Sequence, residues 1–311
     1  MTTNSRLRGV FSPVLTPFDA DLTPSVQRFT RHCAWLLKQD VGLSIFGTNS
    51  EATSLTLAEK HRLLDALLEA GLPAARMMPG TGACAIGDAV ELTRHAVQAG
   101  CGGVLMLPPF YYKGVSDEGL FRSFAALIDA VADERLRIYL YHIPPVTQVP
   151  ISLALIERLL KAYPGTIAGV KDSGGDWNHT QAMLREFQPD GFDVFAGSET
   201  FLLANMRAGG AGCITATGNV NPAPMVDLYA GWREEGADAK QQALDATRAV
   251  FQQFPLIPAM KAAIAWKTGD EGWRAVRPPL VELNAEQRQT LQGGLDRLEF
   301  RMPHVEDLSG R

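Results

Sequence analysis

The feature that most constrains this chain is the alternation, over its first two thirds, of short β-rich apolar segments with amphipathic helical patterns. Parallel strands need a crossover connection, usually a helix, so this alternation predicts a parallel sheet. Eight such segments predict an α/β fold of the (β/α)8 TIM barrel type. The predicted strands cover residues 9–15, 42–47, 76–80, 103–107, 137–142, 167–171, 192–197 and 212–215.

Capping residues mark where the predicted helices begin. Thr23 is a candidate N-cap ahead of Pro24, which suits a first helical position because its missing N–H costs nothing there. Thr56 and Glu59 have the spacing of a capping box. Further predicted helices open at Ser116, Ser152, Pro222 and Asn284.

From about residue 222 the pattern is wholly helical. The sequence therefore predicts a catalytic barrel over residues 1–221 and a C-terminal helical extension over residues 222–311, packed on the barrel. The alternative is an open doubly wound sheet. It is disfavoured because no GxGxxG motif follows the first predicted strand.

Composition excludes several classes of protein. The 311 residues are 46% apolar and 20% charged, as in an ordinary globular protein, and the net charge of −5 comes without a basic stripe typical of nucleic-acid binding. No apolar stretch is long enough to span a membrane, and the N-terminus lacks the apolar core of a signal peptide. The four cysteines form no CxxC pair, which favours reduced thiols. We expect a cytoplasmic protein.

Lys171 stands out among the side chains that end predicted strands, where a barrel of this type places its active site. Of the eight lysines, it alone directly ends a predicted buried strand; the others are expected to reach water. Strand alternation puts Gly169 on the same face, where it should leave space beneath the lysine. Desolvation favours the neutral amine, which can form a Schiff base with a ketone. A structural lysine paired with Asp172 or Glu199 is the alternative, and position alone leaves both open.

Tyr141 ends the neighbouring strand, so its hydroxyl could approach that amine and relay protons. Tyr139, one pleat deeper, is better suited to filling the interior. Thr48, Asn49 and Ser173 offer neutral donors for a substrate carboxylate, although such residues are more often caps or turn formers.

Two further strand-end residues have competing interpretations. Glu51 could bind substrate, but a carboxylate entering a helix usually favours the positive helix end. His142 alternates away from Tyr141, which indicates a packing role. A metal site would need converging carboxylates or histidines, and only isolated ones are apparent, so no metal is predicted.

Five ordered motifs lie at or near the predicted strand ends. They are Thr16-Pro17-Phe18, Gly47-Thr48-Asn49-Ser50-Glu51-Ala52, Pro108-Pro109-Phe110-Tyr111-Tyr112, Leu140-Tyr141-His142-Ile143-Pro144 and Gly169-Val170-Lys171-Asp172-Ser173-Gly174-Gly175-Asp176. Together they resemble one family, the class I, lysine-dependent pyruvate aldolases related to dihydrodipicolinate synthase and N-acetylneuraminate lyase, and the resemblance covers nearly the whole chain.

The resemblance implies that Lys171 forms the Schiff base, that Tyr141 relays protons and that Thr48 links this tyrosine to the substrate carboxylate. It also implies that the backbone near Ile214 contacts pyruvate, and that neither a metal nor an organic cofactor is needed.

The same resemblance implies an assembly. Tyr111 matches a tyrosine that reaches across a tight dimer interface into the partner's site, with Tyr112 as the alternative if the register is one residue off. Members of this family commonly form homotetramers built as dimers of dimers, so we expect a homo-oligomer.

Two departures from the synthase pattern help to choose among the reactions of this family. Val146 stands where the synthases carry an arginine that grips the aldehyde substrate's carboxylate, and valine cannot make that contact. Asn49 stands where they carry a second threonine. The pattern is most similar to 4-hydroxy-2-oxoglutarate aldolases, in which Thr48, Asn49 and Ser173 correspond to carboxylate-binding positions. The resemblance thus predicts a lyase that cleaves a 4-hydroxy-2-oxo acid to pyruvate and an aldehyde.

Three alternatives stay open. One is a synthase that condenses pyruvate with aspartate semialdehyde, and another is a 2-keto-3-deoxy sugar acid dehydratase or deaminase that uses the same imine. The third, of a different class, is a barrel that binds a keto acid without turnover.

Overall fold

The computed structural model describes residues 6–309 and contains a parallel sheet, with the strand order β2-β1-β7-β6-β5-β4-β3 in that part of the chain. The strands are short and buried on both faces, as expected of parallel sheets covered by helices. Their bounds are β1 (Gly9–Ser12), β2 (Gly42–Leu43), β3 (Val104–Met106), β4 (Ile138–His142), β5 (Ile167–Asp172), β6 (Asp193–Ala196) and β7 (Gly212–Ile214).

The predicted strand over residues 76–80 is not formed as a strand. A single parallel bridge joins Gly80 to Leu105 instead. The Leu105 amide donates to the Pro79 carbonyl at 2.8 Å, and the Thr81 amide donates to the Leu105 carbonyl at 3.0 Å. Pro79 has no N–H to add to the ladder, so pairing cannot extend through it.

Helices alternate with the strands and then continue alone after Asn221. Within residues 6–309, none of them is both long and apolar enough to cross a membrane. Their bounds are α1 (Val26–Lys38), α2 (Leu57–Glu69), α3 (Ile86–Gln98), α4 (Asp117–Val131), α5 (Pro144–Thr147), α6 (Leu153–Ala162), α7 (Trp177–Phe187), α8 (Leu202–Arg207), α9 (Pro222–Ala230), α10 (Ala237–Phe251), α11 (Leu256–Thr268) and α12 (Ala285–Arg297).

Most predicted helix starts are confirmed. Side chains cap α2 through Thr56, α4 through Ser116, α6 through Ser152 and α12 through Asn284. The start predicted at Thr23 and Pro24 is wrong. The Thr23 hydroxyl donates to Asp21 and Pro24 pairs with Phe18 in an antiparallel bridge, so α1 begins only after Ser25.

The chain divides into two compact units. The first comprises residues 6–9 together with Pro73–Ile214, and the second comprises Val10–Leu72 together with residues 215–309. In the first unit, one apolar core joins β3–β6 to α3, α4, α6 and α7; Val104, Leu140 and Val170 are among its members. The predicted boundary at residue 221 stays a prediction.

Candidate active site

Lys171 and Tyr141 are neighbours in the first unit. They are paired residues on the adjacent strands β5 and β4, and Lys171 Nζ lies 4.2 Å from the centre of the Tyr141 ring. Each residue is 2% exposed. The predicted burial of this lysine at a strand end is therefore confirmed, and its amine lies over an aromatic face.

The space expected beneath Lys171 at Gly169 is absent. A side chain at Gly169 would overlap the backbone oxygen of Asp193 and would crowd the Tyr139 ring, so this glycine permits close packing instead. Tyr139 is fully buried, as predicted, and its hydroxyl donates to Asp193 at 3.4 Å. Burial raises the pKa of Tyr139 to about 12, which keeps this hydroxyl a donor. Asp193 also pairs with Arg6 at 2.8 Å.

Asp172, one of the two partners considered for Lys171, is engaged elsewhere. Its carboxylate accepts hydrogen bonds from the Thr180 hydroxyl at 2.7 Å and the Gly174 amide at 2.8 Å, and His179 Nδ1 lies 3.5 Å away. Burial acts to raise the pKa of Asp172, but the hydrogen bonds from His179, Thr180 and Gly174 together hold it below the ordinary value. These contacts do not support a structural pair with Lys171.

Glu199, the other partner considered, is buried close to the same strand ends. Burial raises the pKa of the Cys213 thiol; the charge of Glu199 raises it further and that of Lys171 lowers it. Both charges therefore act on the Cys213 sulfur, which places Glu199 in the electrostatic surroundings of Lys171.

His142, Asp172 and His179 form a group that the sequence analysis did not find, because His179 comes from α7 and its place beside β4 is not evident from spacing. The two imidazole rings stack with their centres 4.5 Å apart. All three residues offer ligand atoms within 4.8 Å of one another. However, His142 Nδ1 accepts a hydrogen bond from the Ile151 amide at 3.0 Å, so its proton is on Nε2. Because the Nδ1 lone pair is occupied and Nε2 carries the proton, His142 fits a metal poorly.

The contacts among His142, Asp172 and His179 therefore stabilise the ends of β4 and β5. Burial lowers the pKa of His142 to about 4, so the ring is neutral near pH 7. Ser173 is tied to the same group, since its amide donates to the His142 carbonyl at 2.8 Å. A side chain at Gly197 would overlap the Ser173 hydroxyl, which makes Gly197 a requirement for the place of Ser173. Ile214 is the last, buried residue of β7.

Thr48 and Asn49 belong to the second unit. They are half-buried and form, with Ser50, a single 3₁₀ turn after β2. Glu51, which follows them, neither meets solvent nor begins an α-helix. Its carboxylate is buried and accepts a hydrogen bond from Lys261 Nζ at 2.5 Å, so the expectation that it favours a helix N-terminus is wrong.

Lys261 corrects a second expectation, that every lysine except Lys171 reaches water. It is fully buried, and Lys60 is also largely buried. The Lys261 ammonium donates to the Ala275 carbonyl at 2.7 Å as well as to Glu51. Burial lowers the pKa of Lys261 to about 8, although the charge of Glu51 acts to raise it. The sequence of α11 could have indicated the burial of Lys261, because this helix is apolar on nearly all sides and such helices are buried all round.

Tyr111 and Tyr112 lie on the surface of the first unit, after β3. They are 74% and 73% exposed, and their rings meet edge to face with centres 5.4 Å apart. Lys113 ties this loop to α5 by donating to the Thr147 carbonyl at 2.7 Å. Val146, on the same short helix, is 60% exposed.

Comparison with known proteins identifies the family of this chain. The family model described as the dihydrodipicolinate synthetase family matches residues 6–298. A protein named an uncharacterized DapA-like lyase, from Chloroflexus aurantiacus, is 33% identical over 294 residues, which are 94% of this chain and 97% of the relative.

Solved structures show the same fold. Dihydrodipicolinate synthase from Agrobacterium tumefaciens is 31% identical, with a TM-score of 0.86 over 93% of this chain and 99% of that one. The E. coli family member YagE, solved in complex with pyruvate, is 27% identical, with a TM-score of 0.86 over 96% of this chain and all of that one. Such relatives have a TIM barrel with a C-terminal helical part, which confirms the predicted fold class. The chain therefore belongs to the dihydrodipicolinate synthetase family.

Proposed function

We propose that this protein is a Schiff-base-forming lyase that cleaves a 4-hydroxy-2-oxo acid to pyruvate and an aldehyde. The observation that carries the proposal is the buried amine of Lys171 on the face of Tyr141, with 4.2 Å between Nζ and the ring centre. A lysine amine can attack a ketone carbonyl to form an imine. The phenol hydroxyl of the same tyrosine belongs to a side chain already in contact with the lysine.

The proposed reaction begins when Lys171 Nζ attacks the C2 carbonyl of the substrate, and loss of water gives a protonated imine. Tyr141 relays the proton of the C4 hydroxyl as the C3–C4 bond breaks. The bonding electrons flow into the imine, so an aldehyde leaves and an enamine remains. Protonation of the enamine at C3 and hydrolysis by water release pyruvate and return the amine.

The substrate's carboxylate is assigned to neutral donors. By resemblance these are Thr48, Asn49 and Ser173, together with the backbone near Ile214. Asn49 and Val146 favour 4-hydroxy-2-oxoglutarate, whose aldehyde product is glyoxylate, over the synthase reaction. The pyruvate bound by YagE, a relative in this family, supports pyruvate as one product.

We also propose that the protein works as a cytoplasmic homotetramer, a dimer of dimers, without a metal or an organic cofactor. The exposed pair Tyr111 and Tyr112 supports a contact between subunits, because neighbouring exposed aromatic rings are typical of interfaces. Either ring could enter the partner's site. If one does, dilution to monomers will lower activity, and the Tyr111→Phe and Tyr112→Phe variants will show which hydroxyl is needed.

The test of the imine is borohydride trapping of radiolabelled pyruvate. The wild-type chain should be labelled irreversibly, and Lys171→Ala should not be. Lys161→Ala is the matched control, because that lysine is exposed and pairs with Glu157 on the surface. Full labelling of Lys171→Ala would contradict the assignment.

One observation favours the condensing synthase as a second candidate. Lys113 reaches the carbonyl of Thr147, beside Val146, and so brings a cation to the place where synthases carry their arginine. Turnover of pyruvate with aspartate semialdehyde, lost in Lys113→Met, would support it. An NMR product assay separates the remaining alternatives, because a dehydratase or deaminase releases no aldehyde and a binding protein gives no product.

A further inference from the structure

The second buried lysine belongs to an ion-pair network that the proposed reaction does not use. Lys261 on α11 holds Glu51 through one carboxylate oxygen, and the Arg277 amide donates to the other at 2.9 Å. The Arg277 guanidinium in turn pairs with Glu59 on α2, which lowers the pKa of Glu59 to about 2. The Lys261 ammonium and the Arg277 guanidinium also lie 4.5 and 4.8 Å from the centre of the Phe18 ring.

The backbone beside this network is in an unfavourable conformation. Phe46 has φ 61° and Glu51 has φ 55°, so left-handed non-glycine residues bracket the turn that carries Thr48 and Asn49. A non-glycine residue in this conformation is strained and persists only where its surroundings hold it.

Contacts at both ends provide that hold. Phe46 stacks on Phe29 with ring centres 6.4 Å apart. Within the turn, the Thr16 hydroxyl donates to the Ser50 carbonyl at 2.7 Å. At the other end, both carboxylate oxygens of Glu51 are occupied by donors from the C-terminal helical segment. The side chain of Glu51 thus fixes its own strained backbone.

We propose that Lys261 and Glu51 are positioning residues for recognition of the 2-oxo acid. Their buried ion pair fixes the Thr48–Asn49 turn in the conformation that binds the substrate carboxylate. This inference rests on the proposed function, which assigns that carboxylate to Thr48 and Asn49. It adds two residues that touch no substrate, yet set the affinity for it.

Removing one charge should misplace the turn without removing the reactive amine. A displacement of about 1 Å in a substrate-positioning group can cost about a hundredfold, so we expect Lys261→Met to raise the half-saturating pyruvate concentration in borohydride trapping about tenfold or more. Labelling at saturating pyruvate should stay complete. Glu51→Gln keeps the side-chain shape and should raise the half-saturating concentration less.

Two controls separate positioning from stability. Glu59→Gln breaks the neighbouring pair with Arg277 and should lower the Tm while leaving half-saturation unchanged. The double variant with Lys261→Met and Glu51→Gln removes both buried charges. It should recover thermal stability but keep the raised half-saturation, whereas a purely structural pair would recover both together.

The outcomes are distinct. If the wild-type chain is not trapped by pyruvate, the proposed function fails and this inference fails with it. If the wild type is trapped, unchanged half-saturation in Lys261→Met, or in Glu51→Gln should the first variant not fold, overturns the inference alone. An equal rise in Glu59→Gln would also overturn it.

Discussion

The two fully buried lysines differ in what surrounds their ammonium groups. Lys261 is fixed by the Glu51 carboxylate and a backbone carbonyl, the arrangement that a buried charge requires. The contact of Lys171 Nζ is with the Tyr141 ring, while the adjacent carboxylate of Asp172 is held by Thr180, Gly174 and His179. The two lysines are thus equally buried but differ in the groups that contact their ammonium.

The two lysines should also differ in how much stability is lost when each is removed. A lysine compensated by a carboxylate contributes to the folded state only as long as both partners are present, because either one alone is a buried, uncompensated charge. Asp172, beside Lys171, keeps its own donors when that lysine is removed. The predictions below use this contrast.

The largest expected effect is on turnover in Lys171→Met. Loss of the amine should lower cleavage of 4-hydroxy-2-oxo acids by at least about 10³-fold, because no imine can form. Urea denaturation should show a smaller loss of stability than in Lys261→Met. A marked loss of stability with retained turnover would reverse the roles of the two lysines.

The next effect is on the stability of Lys261→Met. Leaving Glu51 buried without its partner should lower the free energy of unfolding by about 3–5 kcal/mol, measured by urea denaturation. The control is the double variant with Glu51→Gln, which should regain most of that loss. A single variant as stable as the wild type would show that Glu51 is compensated elsewhere.

A smaller effect is expected from Tyr141→Phe, which keeps the ring beneath Lys171 and removes the hydroxyl. Turnover should fall by about 10²-fold, the size typical of a lost proton relay, while borohydride trapping of pyruvate persists. Tyr139→Phe is the matched control, because that buried hydroxyl contacts Asp193 and should affect stability more than turnover. Unchanged turnover in Tyr141→Phe would remove the phenol from the mechanism.

The smallest effect is the response to acid, carried by one histidine in each unit. Burial lowers the pKa of both His32 and His142 to about 4. Their folded-state pKa lies below the unfolded value, so the unfolded chain binds protons first and stability falls as the pH drops from about 6.5. Between pH 6.5 and 5, each should cost about 1.5 kcal/mol.

Urea unfolding across that pH range checks this, with His32→Gln and His142→Asn as variants that flatten the slope. Gln can still donate to Asn219, as His32 does, and Asn can still accept from the Ile151 amide. His179 acts in the opposite sense, because its hydrogen bond to Asp172 raises its pKa. Slopes that are unaltered in both variants would assign the acid response to other groups.

The alternation of strand and helix patterns predicted most of the fold, because the spacing of apolar residues in a strand or a helix is a local property of the chain. It also located Lys171 and Tyr141, since strand ends in a parallel sheet meet at one edge. It overcounted the strands at Pro79, where the apolar pattern continues but the missing N–H ends the pairing.

Contacts between distant residues were beyond such reasoning. Lys261 and Glu51 are 210 positions apart, and His179 reaches His142 only through the packing of α7. Spacing along the chain carries no information about either contact. The sequence of α11 indicated that Lys261 has an apolar environment, but it did not identify Glu51 as the partner.

The left-handed pair Phe46 and Glu51 has a consequence for how this protein can diverge from its relatives. A chimaera that takes residues 47–51 from a family member with a different residue at position 51, while keeping this chain's C-terminal helices, leaves Lys261 without its carboxylate partner. Position 49 can therefore change alone, whereas any change at position 51 must be matched at position 261.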